Sequence, residues 1–103
     1  MRLSEYQREV ILESVAEVMG GETRVLLFGS RVDDSKRGGD IDLLVEAVAP
    51  VEEKVEKKLR IMSRIQRKIG EQKIDLIITH IGEFSEEEKP LVISNAHREG
   101  MLL

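Results

Sequence analysis

Apolar positions along the chain follow two patterns, spaced stripes and short unbroken runs. Between Ser4 and Met19, the residues Tyr6, Val10, Ile11, Val15 and Val18 recur at three- and four-residue intervals, which predicts an amphipathic helix. Ser4 and Gln7 have capping-box spacing at its start, and Gly20 and Gly21 end it. RVLLF (24–28), IDLLV (41–45) and KIDLIIT (73–79) are apolar runs of strand length; the first two read as strands covered on both faces. Between the last two runs, Pro50 is the expected first residue of a second helix. Its stripe is Val51, Val55, Leu59, Met62, Ile65 and Ile69, and Gly70 is its stop. In the tail, Ser85 and Glu88 again have capping spacing, Pro90 breaks or restarts the helix, and Gly100 closes it.

The resulting order is helix, strand, strand, helix, strand, helix. It predicts an α/β (α+β) fold, a small mixed sheet of about three strands with helices packed on it. The length of 103 residues suits one domain, 1–103, with any second substrate brought by a partner. With 41% hydrophobic and 35% charged residues the chain is expected to fold rather than remain disordered. No run is long enough to span a membrane, and the first ten residues lack the apolar core of a signal peptide, so the expected location is the cytoplasm. Cysteine is absent, which removes disulfides, thiolate metal sites and a cysteine nucleophile. A formal net charge of −4 argues against nucleic acid as a partner. Assembly into an oligomer is compatible with the sequence.

Chemistry concentrates in GSRVDDSKRGGDID, residues 29–42. Side chains alternate across a strand, so Asp40 and Asp42 lie on one face while Ile41, Leu43 and Val45 lie on the other. Asp75 interrupts the third run in the same way and shares a face with Ile77 and Thr79. An unpaired carboxylate in an apolar strand is costly. If the third run pairs beside the second, three carboxylates converge, and a hard divalent cation such as Mg²⁺ neutralises them best. Gly29 lets the backbone approach a ligand and Ser30 adds a hydroxyl and an N–H. A helical turn starting there would aim further N–H groups at an anion. Arg31, Lys36 and Arg37 supply positive charge for phosphate. The plainer alternatives stay open at this point: Asp40 and Asp42 as hairpin turn residues, Gly-Ser as a tight turn, and Asp75 in a salt bridge with Lys73 or an arginine. His80 and His97 read as solvated or helix-dipole histidines.

LFGSRVDDSKRGGDIDLLVE with KIDLIIT downstream resembles the minimal nucleotidyltransferase domains of the DNA polymerase beta superfamily, over nearly the whole chain. The resemblance implies a polymerase-beta-like fold and transfer of a nucleoside monophosphate, with ATP the expected donor. It places the β- and γ-phosphates at Gly29 and Ser30 and two Mg²⁺ ions on Asp40, Asp42 and Asp75, and makes Asp75 the group that helps activate the attacking hydroxyl. The loop between Ser30 and Asp40 is slightly shorter than the family's usual one, and Gly39 stands where serine is frequent. Similar minimal domains act as antitoxins that transfer AMP to a tyrosine of a small helical HEPN-type toxin, which makes such a protein the expected partner. Transfer to a small hydroxylated molecule bound by a separate subunit, and a non-catalytic binding module, are the competing expectations.

Overall fold

The computed structural model describes residues 3–32 and 39–103. Among these residues are three helices and four strands: α1 (Glu5–Met19), β1 (Thr23–Phe28), a 3-10 turn (Gly29–Val32), β2 (Ile41–Ala47), α2 (Lys54–Ile69), β3 (Ile74–His80), α3 (Leu91–Glu99) and β4 (Met101–Leu102). The sheet order is β3-β2-β1-β4. β1 runs antiparallel to β2 and β4, whereas β2 and β3 are parallel and joined through α2. The expected mixed sheet with packed helices is present. Its fourth strand is an addition.

Strict alternation divides the sheet into two faces. Val25, Leu27, Ile41, Leu43, Val45, Ile74, Leu76 and Ile78 pack with Val10, Ile11 and Val15 of α1 and Ile61 and Ile65 of α2. On the other face Leu26 and Leu44 meet Ile93 and Ala96 of α3, with Phe28, Ile77 and Phe84 alongside. Leu27, Leu43 and Leu44 are fully buried, each contributing about 1.5–3 kcal/mol. The continuous apolar runs of β1 and β2 therefore reflect a strand pair covered on both sides, as expected.

Local signals set most of the helix ends. Ser4 Oγ accepts from the Gln7 N–H at 3.0 Å, and Gln7 Oε1 accepts from the Ser4 N–H at 3.0 Å, so the capping box is closed in both directions. Gly20 ends α1 in the left-handed conformation, φ 67°. Tyr6, expected on the buried stripe, is 57% exposed, and its hydroxyl donates to the Lys68 carbonyl of α2 at 3.5 Å. Pro90 restarts the tail helix: Ser85 to Lys89 form one turn, closed by Lys89 N–H to Ser85 C=O at 2.9 Å, and α3 begins at Leu91. Gly100 is required by crowding, since a Cβ there would run into the Ala96 carbonyl and lie 3.3 Å from the Leu27 carbonyl.

Helix α2 departs from expectation at its start and along its stripe. It begins at Lys54, after Glu53 with φ 53°, so Pro50 is not its first residue. Val51 turns inward against the core, and Lys54 is tied to Glu83 at 2.8 Å; together they hold the chain in a loop up to Glu53. Ile61 and Ile65 carry the burial, whereas Val55 and Leu59 are 71% and 59% exposed. Among the described residues no helix is long and apolar enough to cross a membrane.

Candidate functional site

β1 ends and β2 and β3 begin at one edge of the molecule, and strand register brings the carboxylates together there. Phe28 is opposite Asp42, and Asp42 is directly opposite Asp75 in the parallel pair. Neighbours in register point to the same side of a sheet, so both carboxylates lie on the face that carries Leu44 and Ile77. Asp40 sits one residue before β2, where the Ile41 N–H donates to the Lys73 carbonyl at 3.0 Å. Lys73 Nζ lies 3.5 Å from Asp40 Oδ2 with both side chains well exposed. The lysine that could have neutralised Asp75 thus serves Asp40 instead.

Asp42 records the cost of this convergence. Burial, then the charge of Asp75, then that of Asp40, and finally a hydrogen bond shared with Asp75 push its carboxyl up to about 6, with Lys73 opposing. Like charges at short range resist simultaneous ionisation. No arginine or lysine is paired with Asp42 or Asp75 among the described residues. Of the three carboxylates expected to converge, Asp42 and Asp75 are in register and the charge of Asp40 also acts on Asp42. Among the described residues no three acidic or histidine side chains are gathered closely enough to hold a metal by themselves. The donor set, hard carboxylate oxygens with excess negative charge, fits a hard divalent cation.

Gly29 abuts this face, and its glycine identity has a structural cause. Its φ is 77°, and a Cβ at this position would collide with Asp42 Oδ2. The missing side chain makes room for the Asp42 carboxylate at the strand end. Gly29–Val32 form the short helical turn anticipated from the sequence; Ser30 lies in its backbone, and its side chain is outside the described set. Arg31 is half-buried, and its Nη2 donates to Gln72 Oε1 at 3.0 Å, which anchors the turn to the loop between α2 and β3. Lys36 and Arg37 lie outside the described residues.

The opposite end of the same face holds a second set of charged groups that the sequence reading passed over. Glu46, two alternations beyond Asp42 on β2, is 5% exposed. It accepts from Arg24 Nε at 2.7 Å and pairs with His97 Nε2 at 2.8 Å. Burial alone would raise its carboxyl, but the hydrogen bonds to His97 and Arg24 outweigh it and hold Glu46 below the ordinary glutamate range. Glu83 is likewise lowered, chiefly by its hydrogen bond from Lys54, and lies 3.0 Å from His80 Nδ1. His97 does sit in the last turn of α3, yet its ring is committed to Glu46, and neither histidine is simply solvated. The missed signal was Glu46 itself, a carboxylate on the Asp42 side of an apolar strand that needs a counter-charge for the same reason as Asp75.

Residues 8–103 match the family model described as Nucleotidyltransferase domain. No curated protein and no solved structure was found to match the chain at a significant level.

Proposed function

The chain belongs to the nucleotidyltransferase domain family, and from that premise we propose that it transfers AMP from ATP to a hydroxyl group on a partner protein, with a tyrosine of a small helical HEPN-type protein as the acceptor. The observation that carries this reading is the Asp42–Asp75 pair. Two carboxylates in register on adjacent strands, one raised to about 6 by its surroundings, have no lysine or arginine paired with them among the described residues, as a structural role would require.

Asp40, Asp42 and Asp75 would hold two Mg²⁺ ions together with the triphosphate. When bound, the cations lower the pKa of the acceptor hydroxyl and offset charge on the phosphates. The turn at Gly29 and Ser30 seats the β- and γ-phosphates, with Arg31, Lys36 and Arg37 as neighbouring cations. The acceptor oxygen attacks the α-phosphorus, an O–P bond forms, and the α,β-bridging P–O bond breaks. Pyrophosphate departs with the bond's electron pair. Asp75, more exposed than Asp42, receives the acceptor's proton.

Parallel incubations of the protein with Mg²⁺, a cell extract, and ATP labelled at either the α- or the γ-phosphorus test the reading. Label from the α position alone, appearing on a protein band and lost with Asp42→Asn, is the expected result. Label on a small molecule would move the acceptor to a hydroxylated metabolite class. Transfer from the γ position would replace the proposed reaction with phosphorylation.

A further inference from the structure

Helix α2 carries more positive charge and more exposed apolar surface than its place in an acidic chain explains. Every charged residue in it except Glu56 is a lysine or arginine, although the chain as a whole is at −4. The row Val55, Leu59, Ser63 and Arg67, one helical turn apart, runs exposed along its outer side. Val55 and Leu59, 71% and 59% exposed, are flanked by Lys58 and Arg60. A shallow depression lies on each side of the row: one of about 240 Å³ against Leu76, Ile77 and Ile78 of β3, the other of about 200 Å³ between Leu59, Ser63 and Arg67. β3 itself is an edge strand, with no neighbour beyond it among the described residues.

We propose that the outer side of α2 docks an acidic amphipathic helix of a different protein. Residues four apart form the ridges and grooves by which helices pack, and Ser63 in the row leaves room for a partner's side chain. Leu59 and Val55 supply the apolar contact; Lys58, Arg60 and Arg67 around them call for carboxylates on the partner. Nucleic acid satisfies only half of this surface, because phosphates leave Val55 and Leu59 uncovered. A second copy in a two-fold contact would lay one basic row against another. α2 covers the face of the sheet opposite to Asp42 and Asp75, so an occupant there leaves the carboxylates open. The docking surface stands whether or not the transfer reaction is the one proposed above.

The test uses the full chain and a fluorescent helical peptide of about 18 residues, with leucines at helical-stripe positions and glutamates elsewhere, followed by anisotropy. The expected result is saturable binding that weakens at least about tenfold with Val55→Glu/Leu59→Glu and separately with Arg60→Glu/Arg67→Glu, and that falls with added salt. All four positions are at the surface, and circular dichroism melts of the variants should match the parent. Absence of binding overturns the proposal, as does equal binding of a lysine-for-glutamate version of the peptide. Tighter binding of a single-stranded RNA oligonucleotide than of the peptide would overturn it in favour of nucleic acid. A concentration-dependent dimer in light scattering that is abolished by Val55→Glu/Leu59→Glu would overturn it in favour of self-association.

Discussion

The two ends of one sheet face treat carboxylates in opposite ways. At one end Asp42 and Asp75 are set against each other with Asp40 nearby, and Asp42 is forced up to about 6. At the other, Glu46 is less exposed yet held below the ordinary range, because Arg24 and His97 reach it at 2.7 and 2.8 Å. The strands and the parity are shared, and Glu46 comes only four positions after Asp42 on β2. Burial is therefore not what distinguishes them. The supply of counter-charge among the described residues is: Glu46 is a bolt between sheet and α3, whereas Asp42 faces the charges of Asp75 and Asp40 with Lys73 opposing them.

The comparison can be broken most forcefully at the reactive end. Asp42→Asn and Asp75→Asn are each expected to lower nucleotidyl transfer by about a thousandfold or more, since each removes charge that in the proposed reaction positions cation and phosphate; initial-rate assays with labelled ATP measure it. At the structural end, Glu46→Ala leaves Arg24 and His97 facing an empty position. It is expected to cost about 2–3 kcal/mol in urea unfolding with little change in ATP affinity. A larger loss of ATP affinity than of stability would erase the distinction between the two ends.

A smaller effect concerns pH and has the opposite sign to most carboxylate substitutions. Asp42 binds its proton more tightly folded than unfolded, so its ionisation destabilises the metal-free fold. The penalty is absent below about pH 4, grows as pH rises towards about 6, and is complete above that. In the presence of a chelator, Asp42→Asn should therefore stabilise the protein at pH 8 by about 1–2 kcal/mol, allowing for solvent screening, and by nothing at pH 4. Thermal melts at the two pH values decide. The corresponding linkage for Glu46 runs the other way: its lowered carboxyl adds stability above the ordinary glutamate range that is lost as pH falls through its folded-state value.

The smallest expected change is at Lys73. Its contact with Asp40 is long and exposed, so Lys73→Ala should cost no more than about 0.5 kcal/mol. It should also move Asp42 further up, because Lys73 is the group that opposes the rise. Carbon-detected NMR titration of the Asp42 carboxyl would show the shift.

How far the sequence was legible followed the range of the forces involved. α1 and the first three strands could be read because capping at Ser4 and the runs RVLLF, IDLLV and IDLIIT are local signals, each consistent with its burial. β4 could not, since two residues after Gly100 acquire strand geometry only by pairing with Leu26 and Leu27. The stripe of α2 was misread because Val55 and Leu59 share the four-residue spacing of core positions, whereas they lie on the outer side of the helix beside the edge strand β3, beyond which no further strand lies among the described residues. At the reactive end, the pairing of Asp42 with Asp75 was anticipated from parity. The service of Lys73 to Asp40 was not, because it depends on the offset of two strand starts. His97 and Glu46 are 51 positions apart in the chain, and only the packing of α3 across the sheet joins them.

The central claim, that the Asp42–Asp75 end is completed by a cation and a nucleoside triphosphate, is tested most directly by isothermal titration of ATP into the folded protein with and without Mg²⁺. The account predicts Mg²⁺-dependent binding that Glu46→Ala retains and that Asp42→Asn and Asp75→Asn abolish. Absence of heat at millimolar ATP with Mg²⁺, or binding unchanged in both aspartate variants, would contradict it.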